Sequence, residues 1–304
     1  MNEPRTVAAA VAAARENLLA AGVPSDEAAG DAEVLARHVL GWDLTQFTLR
    51  RNHAVTGDFD RAFDDLIGRR ARREPVSQIV GHREFWGLDF EVTRDVLTPR
   101  PETELVVQAT LDACAHPEQF DTWPPTIVDV GTGSGCIAVA LAIELPAAMF
   151  VASDASLAAL NVARRNAARH GVSQRIAFRH TDSIPPEYDV EIIVSNPPYI
   201  PTRARASLAP EVREYEPDLA LFGGQDGLDF YRLLFQHAGD VTENGRMIVE
   251  VGYDQAAGVK AMANPRFWAF ERAYRDLQGI ERVLTFRALR PEDGDFSDHR
   301  GWRY

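Results

Sequence analysis

Three observations predict an α/β protein built on a mostly parallel, doubly wound sheet with a late antiparallel strand, carrying a small N-terminal helical bundle on a β-hairpin linker. Short β-branched runs alternate with helical stretches from about residue 126 to 263, the pattern of a sheet with crossover helices. Residues 4–73 instead repeat their apolar side chains at helical spacing. Between the two lies Glu84-Phe85-Trp86-Gly87-Leu88-Asp89-Phe90-Glu91-Val92, where apolar residues alternate around a glycine, as in a hairpin. The boundaries expected from these shifts are 1–74 for the bundle, 75–101 for the linker and 102–304 for the sheet domain.

Taken in order, Val7, Val11, Leu18 and Leu19 line one face of a first helix that Gly22 and Pro24 end. Ser25 offers an N-cap for a second helix, with Val34, Leu35, Val39 and Leu40 apolar and Gly41 as its stop. Residues 44–49 are ambiguous. Asp58–Arg73 is a further helix, with Phe59, Phe63, Leu66 and Ile67 on its face and arginines in its last turns, complementing the dipole. The linker ends in Leu97-Thr98-Pro99-Arg100-Pro101-Glu102-Thr103-Glu104. There Pro101 suits a helix start, and Glu102 and Glu104 suit its positive end. Leu105–Ala115 follows as a helix. Strands are expected at Thr126–Val130, Met149–Ser153, Arg175–Arg179, Glu191–Ser195 and Arg246–Val251. The intervening helices are Ile137–Leu145, a helix ending near His170, Gly227–His237 and Gln255–Ala263. Trp268–Tyr274 and Arg282–Leu289 are close enough to form an antiparallel pair. The acidic stretch Pro291–His299 reads as a flexible tail.

Composition narrows the function classes. The 304 residues are 45% hydrophobic and 25% charged, ordinary values for a globular protein. A net charge of −13 gives no global attraction to a nucleic-acid backbone. Two cysteines, Cys114 and Cys136, with no C-x-x-C and no histidine cluster, support neither a disulfide framework nor a metal site. Reduced thiols in a cytoplasmic protein are the simplest reading. No run approaches the roughly 18 apolar residues of a membrane span. The apolar stretch 7–14 is flanked by Glu3 and Arg15-Glu16, so it reads as an amphipathic helix rather than a signal peptide.

The chemistry-bearing residues fall at strand ends. Gly131-Thr132-Gly133-Ser134-Gly135 sits between a strand and a helix, where missing side chains let a ligand approach exposed N–H groups. Position 136 is Cys, so the dinucleotide spacing G-x-G-x-x-G is not met, and a nicotinamide dehydrogenase is disfavoured. Asp129 lies within the first strand of the alternation. Asp154 ends the second, where a carboxylate can accept both hydroxyls of a ribose. Asp182-Ser183 follows the third. The fourth strand must stop at Asn196-Pro197-Pro198-Tyr199, because two prolines cannot continue a ladder. An amide and an aromatic ring are thereby left at the carboxyl edge, where open α/β sheets bind ligands.

The Asp129–Gly135 segment followed by Asn196-Pro197-Pro198-Tyr199 resembles the class I S-adenosylmethionine-dependent methyltransferases that act on a planar nitrogen, which have a Rossmann-like fold. With Phe85-Trp86-Gly87, Thr98–Glu104, Leu221-Phe222-Gly223-Gly224 and Arg282-Val283-Leu284 added, the chain resembles the HemK/PrmC family. These are protein-(glutamine-N5) methyltransferases, which modify the glutamine of the Gly-Gly-Gln motif in class 1 peptide chain release factors and so tune translation termination. The likeness runs from about Glu74 to Leu289; the N-terminal helices match in architecture more than in motif.

The resemblance implies that Gly131, Thr132, Gly133, Ser134 and Gly135 line the methionine part of S-adenosyl-L-methionine, whose product is S-adenosyl-L-homocysteine. It further implies that Asp154 takes the ribose and that Asp182 and Ser183 lie by the adenine. Asn196 would touch both cofactor and substrate, with Pro197, Pro198 and Tyr199 completing the glutamine pocket, and Asn196, Pro197 and Tyr199 carrying the catalysis. The N-terminal bundle would dock the release factor. Gln78 departs from an aromatic residue common in the family, Ser183 from an often bulkier counterpart, and Ile184-Pro185-Pro186 from a more apolar, acidic stretch. The chain's own Gly223-Gly224-Gln225 reads as a turn before a helix, not as a substrate mimic.

Two other readings belong to different classes. One is a nucleic-acid exocyclic-amino methyltransferase acting on adenine N6 or guanine N2, since such enzymes use similar Asn-Pro-Pro-Tyr sites. The acidic charge and the Thr98–Glu104 motif weigh against it, and no direct nucleic-acid partner is expected. The other is a noncatalytic cofactor-binding interaction protein, against which the intact Asn196–Tyr199 segment argues. No membrane partner is expected, and nothing demands more than a monomer.

Overall fold

The computed structural model describes residues 5–289 apart from 121, 186 and 187. The expected tail at Pro291–His299 lies outside the described residues. The chain forms two compact units, one running to His82 and including Ala209–Tyr215, the other comprising Arg83–Leu208 and the chain from Glu216 onward.

The first unit is helical: α1 (Val7–Ala20), α2 (Ser25–Leu40), α3 (Leu44–Arg50), α4 (Gly57–Ala71) and α5 (Val76–Val80), joined by α9 (Pro210–Tyr215), all numbered in chain order. Val7, Leu18, Leu35, Phe59, Phe63 and Ile67 share its core. The stretch 44–49 is settled as helix by a capping box, in which Asp43 Oδ1 accepts from Gln46 N and Gln46 Oε1 accepts from Asp43 N. Ser25 is not the cap expected of it. Pro24 takes that place, Ser25 becomes the first helical residue, and Asp26 and Glu27 supply the negative charge favoured at a helix start. Helix α2 buries Ala28, Ala32, Leu35 and Ala36, while Val34 is exposed: its packing face runs along small residues that leave room for close neighbours. Arg70 is buried on α4, where its guanidinium donates to Glu27, Asp31 and Glu211.

A hairpin follows, β1 (His82–Phe85) and β2 (Leu88–Glu91), which belongs to the second unit from Arg83 onward. Trp86 and Gly87 turn it, both at positive φ (54° and 70°), as a two-residue turn compatible with strand twist requires. Trp86 has a side chain, so this conformation needs support. Its N–H donates to Glu104 and its indole N–H to Glu144.

Helix α6 (Glu104–Cys114) precedes a seven-stranded sheet of β3 (Thr126–Val130), β4 (Met149–Asp154), β5 (Ile176–His180), β6 (Val190–Ser195), β7 (Val241–Glu250), β8 (Trp268–Arg275) and β9 (Glu281–Ala288). Their order is β5-β4-β3-β6-β7-β9-β8; the first five strands are parallel, and β9 pairs antiparallel with β7 and β8. The expected doubly wound sheet with antiparallel late strands is therefore present. Its helices are α7 (Cys136–Glu144), α8 (Leu157–Arg169), α10 (Asp218–Leu221), α11 (Asp229–Phe235) and α12 (Ala256–Met262). Strand β7 begins five residues earlier than the apolar run suggests, because Val241 also pairs with Val190 across a register shift. Helix α11 is shorter than expected: Gly227 sits at φ 81°, outside helical space, and the last turn tightens into a 3-10 segment over Gln236–Asp240. The sheet carries apolar clusters on its two faces, one including α6 and α7 and the other α11 and α12.

Candidate active site

The strand order reverses at β3, whose neighbours are β4 and β6, and at such a switch point the carboxyl ends diverge into a crevice. A cavity of about 410 Å³ occupies it. Gly131–Ser134, Asp154, Asp182, Asn196 and Pro198 line it, together with Pro99, Arg100 and Thr103 of the linker and Phe222–Gly224. Gly135, Ser183, Pro197 and Tyr199 are not among its lining residues. Ser183 Oγ lies 3.2 Å from Thr181 Oγ1, and Gln78, in the helical unit, donates to the carbonyl of Tyr215.

The glycine loop is shaped by its backbone. Gly131 and Thr132 N–H both donate to the Ser153 carbonyl at 2.9 Å, folding the loop over β4. Gly133 has φ 54°, and a Cβ there would meet nothing within 4 Å, so the loop faces open space at the cavity. Gly135 serves packing: a Cβ would stand 3.0 Å from that of Ala163, where α7 and α8 approach. Asp129 is fully buried under the loop and accepts from Thr132 Oγ1 at 2.6 Å; burial pushes its carboxyl up to about 7.

Asp154 accepts from Gly133 N through Oδ2 (2.9 Å) and from Ser156 N through Oδ1 (2.8 Å). Each oxygen thus has one backbone donor, and a carboxylate keeps further acceptor capacity on both. Burial raises this carboxyl above its usual range, opposed by the same two N–H groups.

At the end of β6, Ser195 Oγ donates to the Val130 carbonyl at 2.7 Å, pinning the strand to β3. Asn196 Nδ2 then donates to Thr103 Oγ1 (2.9 Å), Thr103 Oγ1 lies 2.6 Å from Glu250 Oε2, and the Tyr199 hydroxyl lies 3.3 Å from Glu250 Oε1. Glu250 is buried at the end of β7, and that burial pushes its carboxyl up to about 7. Two glycines hold the loop from outside. A Cβ on Gly223 would stand 2.2 Å from the Pro198 carbonyl oxygen, and one on Gly227 2.3 Å from that of Tyr199. Gln255 Nε2 donates to the Tyr199 carbonyl at 2.8 Å.

The linker motif acquires specific work. Arg100 donates to both oxygens of Glu216 (2.8 and 2.6 Å), and Thr98 N to one of them (3.3 Å). Thr103 bridges Asn196 and Glu250, and Glu104 supports the Trp86 turn. Sequence reasoning passed over Glu250, Glu216 and Gly227. For Glu250 a signal existed: a carboxylate inside the apolar run Met247-Ile248-Val249-Glu250-Val251 is costly unless something uses it.

Comparison with known proteins agrees along nearly the whole chain. Residues 9–81 match the family description "PrmC N-terminal domain", and residues 117–211 match "Methyltransferase small domain". A release factor glutamine methyltransferase of Agrobacterium fabrum is 43% identical, covering 93% of this chain and 97% of its own. One of Cereibacter sphaeroides is also 43% identical, covering 91% and 97%. Among solved structures, the hMettl16 catalytic domain in complex with the MAT2A 3'UTR hairpin 6 superposes with a TM-score of 0.53 at 17% identity, covering 73% of this chain and 81% of that one. A methyltransferase from Pyrococcus furiosus gives 0.50 at 16% identity, covering 72% and 98%. At such identities these two structures speak for the fold alone. Identity above 40% across more than nine-tenths of both chains speaks for descent, and the chain belongs to the release factor glutamine methyltransferase family, with the class I methyltransferase fold.

Proposed function

We propose that this chain transfers a methyl group from S-adenosylmethionine to the side-chain amide nitrogen of the glutamine in the Gly-Gly-Gln motif of class 1 peptide chain release factors. The reading takes it as a cytoplasmic enzyme that works as a monomer, with its N-terminal helices docking the release factor. The observation that carries it is the Asn196 carboxamide, set in the cavity wall with Nδ2 bonded to Thr103 Oγ1. Its Oδ1 is then the end left for a donor such as a primary amide N–H.

The residues present fit the cofactor. Asp154 keeps acceptor capacity for a ribose diol, the loop at Gly133 leaves space where a side chain would stand, and Asp182 lies on the cavity wall for the adenine end. When bound, S-adenosylmethionine supplies an electrophilic methyl on a sulfonium. The protein's task is then one of placement. An amide nitrogen is a poor nucleophile because its lone pair is delocalised into the carbonyl. Asn196 Oδ1 and the Pro197 carbonyl would each accept one N–H of the substrate amide and aim its nitrogen. Tyr199, held through its hydroxyl by Glu250, would back the amide plane and favour developing positive charge. Positioning of this kind can supply roughly 7–11 kcal/mol, so no strong base is required, and the proton leaves once the nitrogen has become acidic.

The experiment is methyl transfer from radiolabelled cofactor to a class 1 release factor, with the motif Gln→Ala release factor as control. Label confined to that glutamine supports the reading. Label in nucleic acid but not in release factor would instead establish the exocyclic-amino alternative.

A further inference from the structure

The proposed chemistry gives Glu250 no role beyond holding the Tyr199 hydroxyl, although a fully buried carboxylate is among the costliest groups a core can hold. Its hydrogen bonds suggest one. A hydroxyl has a single proton, and an ionised carboxylate only accepts. With Glu250 ionised, the Thr103 proton must point at Glu250 Oε2, 2.6 Å away, so toward Asn196 the Thr103 oxygen can only accept. Asn196 must then present Nδ2, as it does at 2.9 Å, and its Oδ1 is left for the acceptor amide. Were Glu250 protonated or replaced by a donor, the Thr103 proton would be free to turn toward Asn196. The oxygen and the nitrogen of the carboxamide would then compete for that one contact.

Resting on the proposed function, we infer that Glu250 is a positioning residue for methyl transfer. Through the Thr103 hydroxyl it holds the Asn196 carboxamide with its oxygen toward the substrate nitrogen.

Glu250 is the titratable group bonded to the Thr103 hydroxyl, and its neighbours come from several elements. Tyr199 faces it from the loop after β6, and Tyr231 from α11 donates to its main-chain carbonyl at 2.8 Å. Cys136 faces it from the start of α7, Glu102 from the turn before α6, and Arg282 from β9. Burial pushes both tyrosines up, and pushes the Cys136 thiol up to about 12, so these three stay neutral near neutrality. Arg282 is held by Asp276 at 2.8 Å. The Glu250 carboxyl, by contrast, is pushed up to about 7, inside the working range. Asp129 titrates in the same range but bonds to Thr132, so a Glu250 variant separates the two.

Two measurements test the inference. In steady-state kinetics, Glu250→Gln should lower kcat about 10–100-fold, the size of loss that removing the outer hydrogen-bond partner of a metal ligand brings, with the cofactor KM little changed. Thr103→Val should fall similarly, and Thr103→Ser should restore most of that rate, since it keeps the hydroxyl. In spectra of protein carrying 15N-asparagine, the Asn196 side-chain amide should shift with a midpoint near pH 7 and be flat in Glu250→Gln. Glu250→Gln turning over at the wild-type rate per folded molecule would overturn the inference, as would an Asn196 amide that ignores pH in the wild type. The spectra need no release factor, so they decide the matter even if the wild type methylates none. That result would count against the proposed function alone.

Discussion

A carboxamide has two ends of similar size and opposite polarity, so a site that uses Asn196 must specify which end faces out. Here Thr103 takes the nitrogen. Asn196→Ala removes the outward acceptor without touching Asp154 or the glycine loop. Calorimetry should therefore still find cofactor binding while methyl transfer drops on the order of 100-fold, as loss of a preorganised polar contact does. Near-normal turnover would remove Asn196 from the mechanism. Glu250 gives a second prediction at this scale. Its folded pKa, about 7, lies above the ordinary 4.5, so between those values the folded state binds more protons than the unfolded one. The stability this group contributes is full at the acid end of that window and is lost as pH rises toward 7. Asp129 acts with the same sign. Glu250→Gln cannot titrate, so its stability measured by denaturant between about pH 5 and 8 should decline less steeply than the wild type's. Parallel curves would mean that Glu250 is not held protonated by burial.

Among the elements, the segment from Gly223 to Gly227 does for the Asn196–Tyr199 loop what a side-chain network does elsewhere: bare backbone fills the space behind it. Gly227→Ala puts a Cβ 2.3 Å from the Tyr199 carbonyl and also strains a φ of 81°. A displacement of about 1 Å at a reacting group can cost about 100-fold, so this variant should lose transfer heavily while still binding cofactor. Retained turnover would show that the loop does not need that backing. In the helical unit, Arg70→Ala would leave Glu27, Asp31 and Glu211 without their shared cation. Glu27 is half exposed and recovers much of its hydration, so the cost should sit near the lower end of a broken buried pair, about 3 kcal/mol by urea unfolding. The elements themselves were legible wherever one physical preference dominated. The β-branched runs of β3, β4 and β6 and the proline stop after Ser195 are of this kind. Ser25 misled because a proline just before it could take the cap, and β7 extends beyond its apolar run because pairing with β6, not composition, sets its start.

For the molecule as a whole, the cavity draws on strand ends, the linker and the 222–224 turn, segments far apart in the chain that the fold brings together. Residues at strand ends, such as Asp154 and Asn196, could be found in the sequence because turn chemistry marks where strands stop. Glu250 and Glu216 could not be assigned, since their roles depend on partners 147 and 116 residues away. A ligand that binds only the folded chain stabilises it by mass action. S-adenosylmethionine at a hundredfold excess over its Kd should therefore add about 2.7 kcal/mol and raise Tm measurably, an effect that Asp154→Ala should abolish. An unchanged ligand response in that variant would remove Asp154 from the binding site. The central claim is tested most directly by incubating the full chain with radiolabelled S-adenosylmethionine and a class 1 release factor, then locating the label by peptide mapping. The account predicts label on the glutamine of the Gly-Gly-Gln motif and none when that residue is alanine. Equal labelling of the alanine variant, or no labelling of release factor by a chain that binds the cofactor, would contradict it.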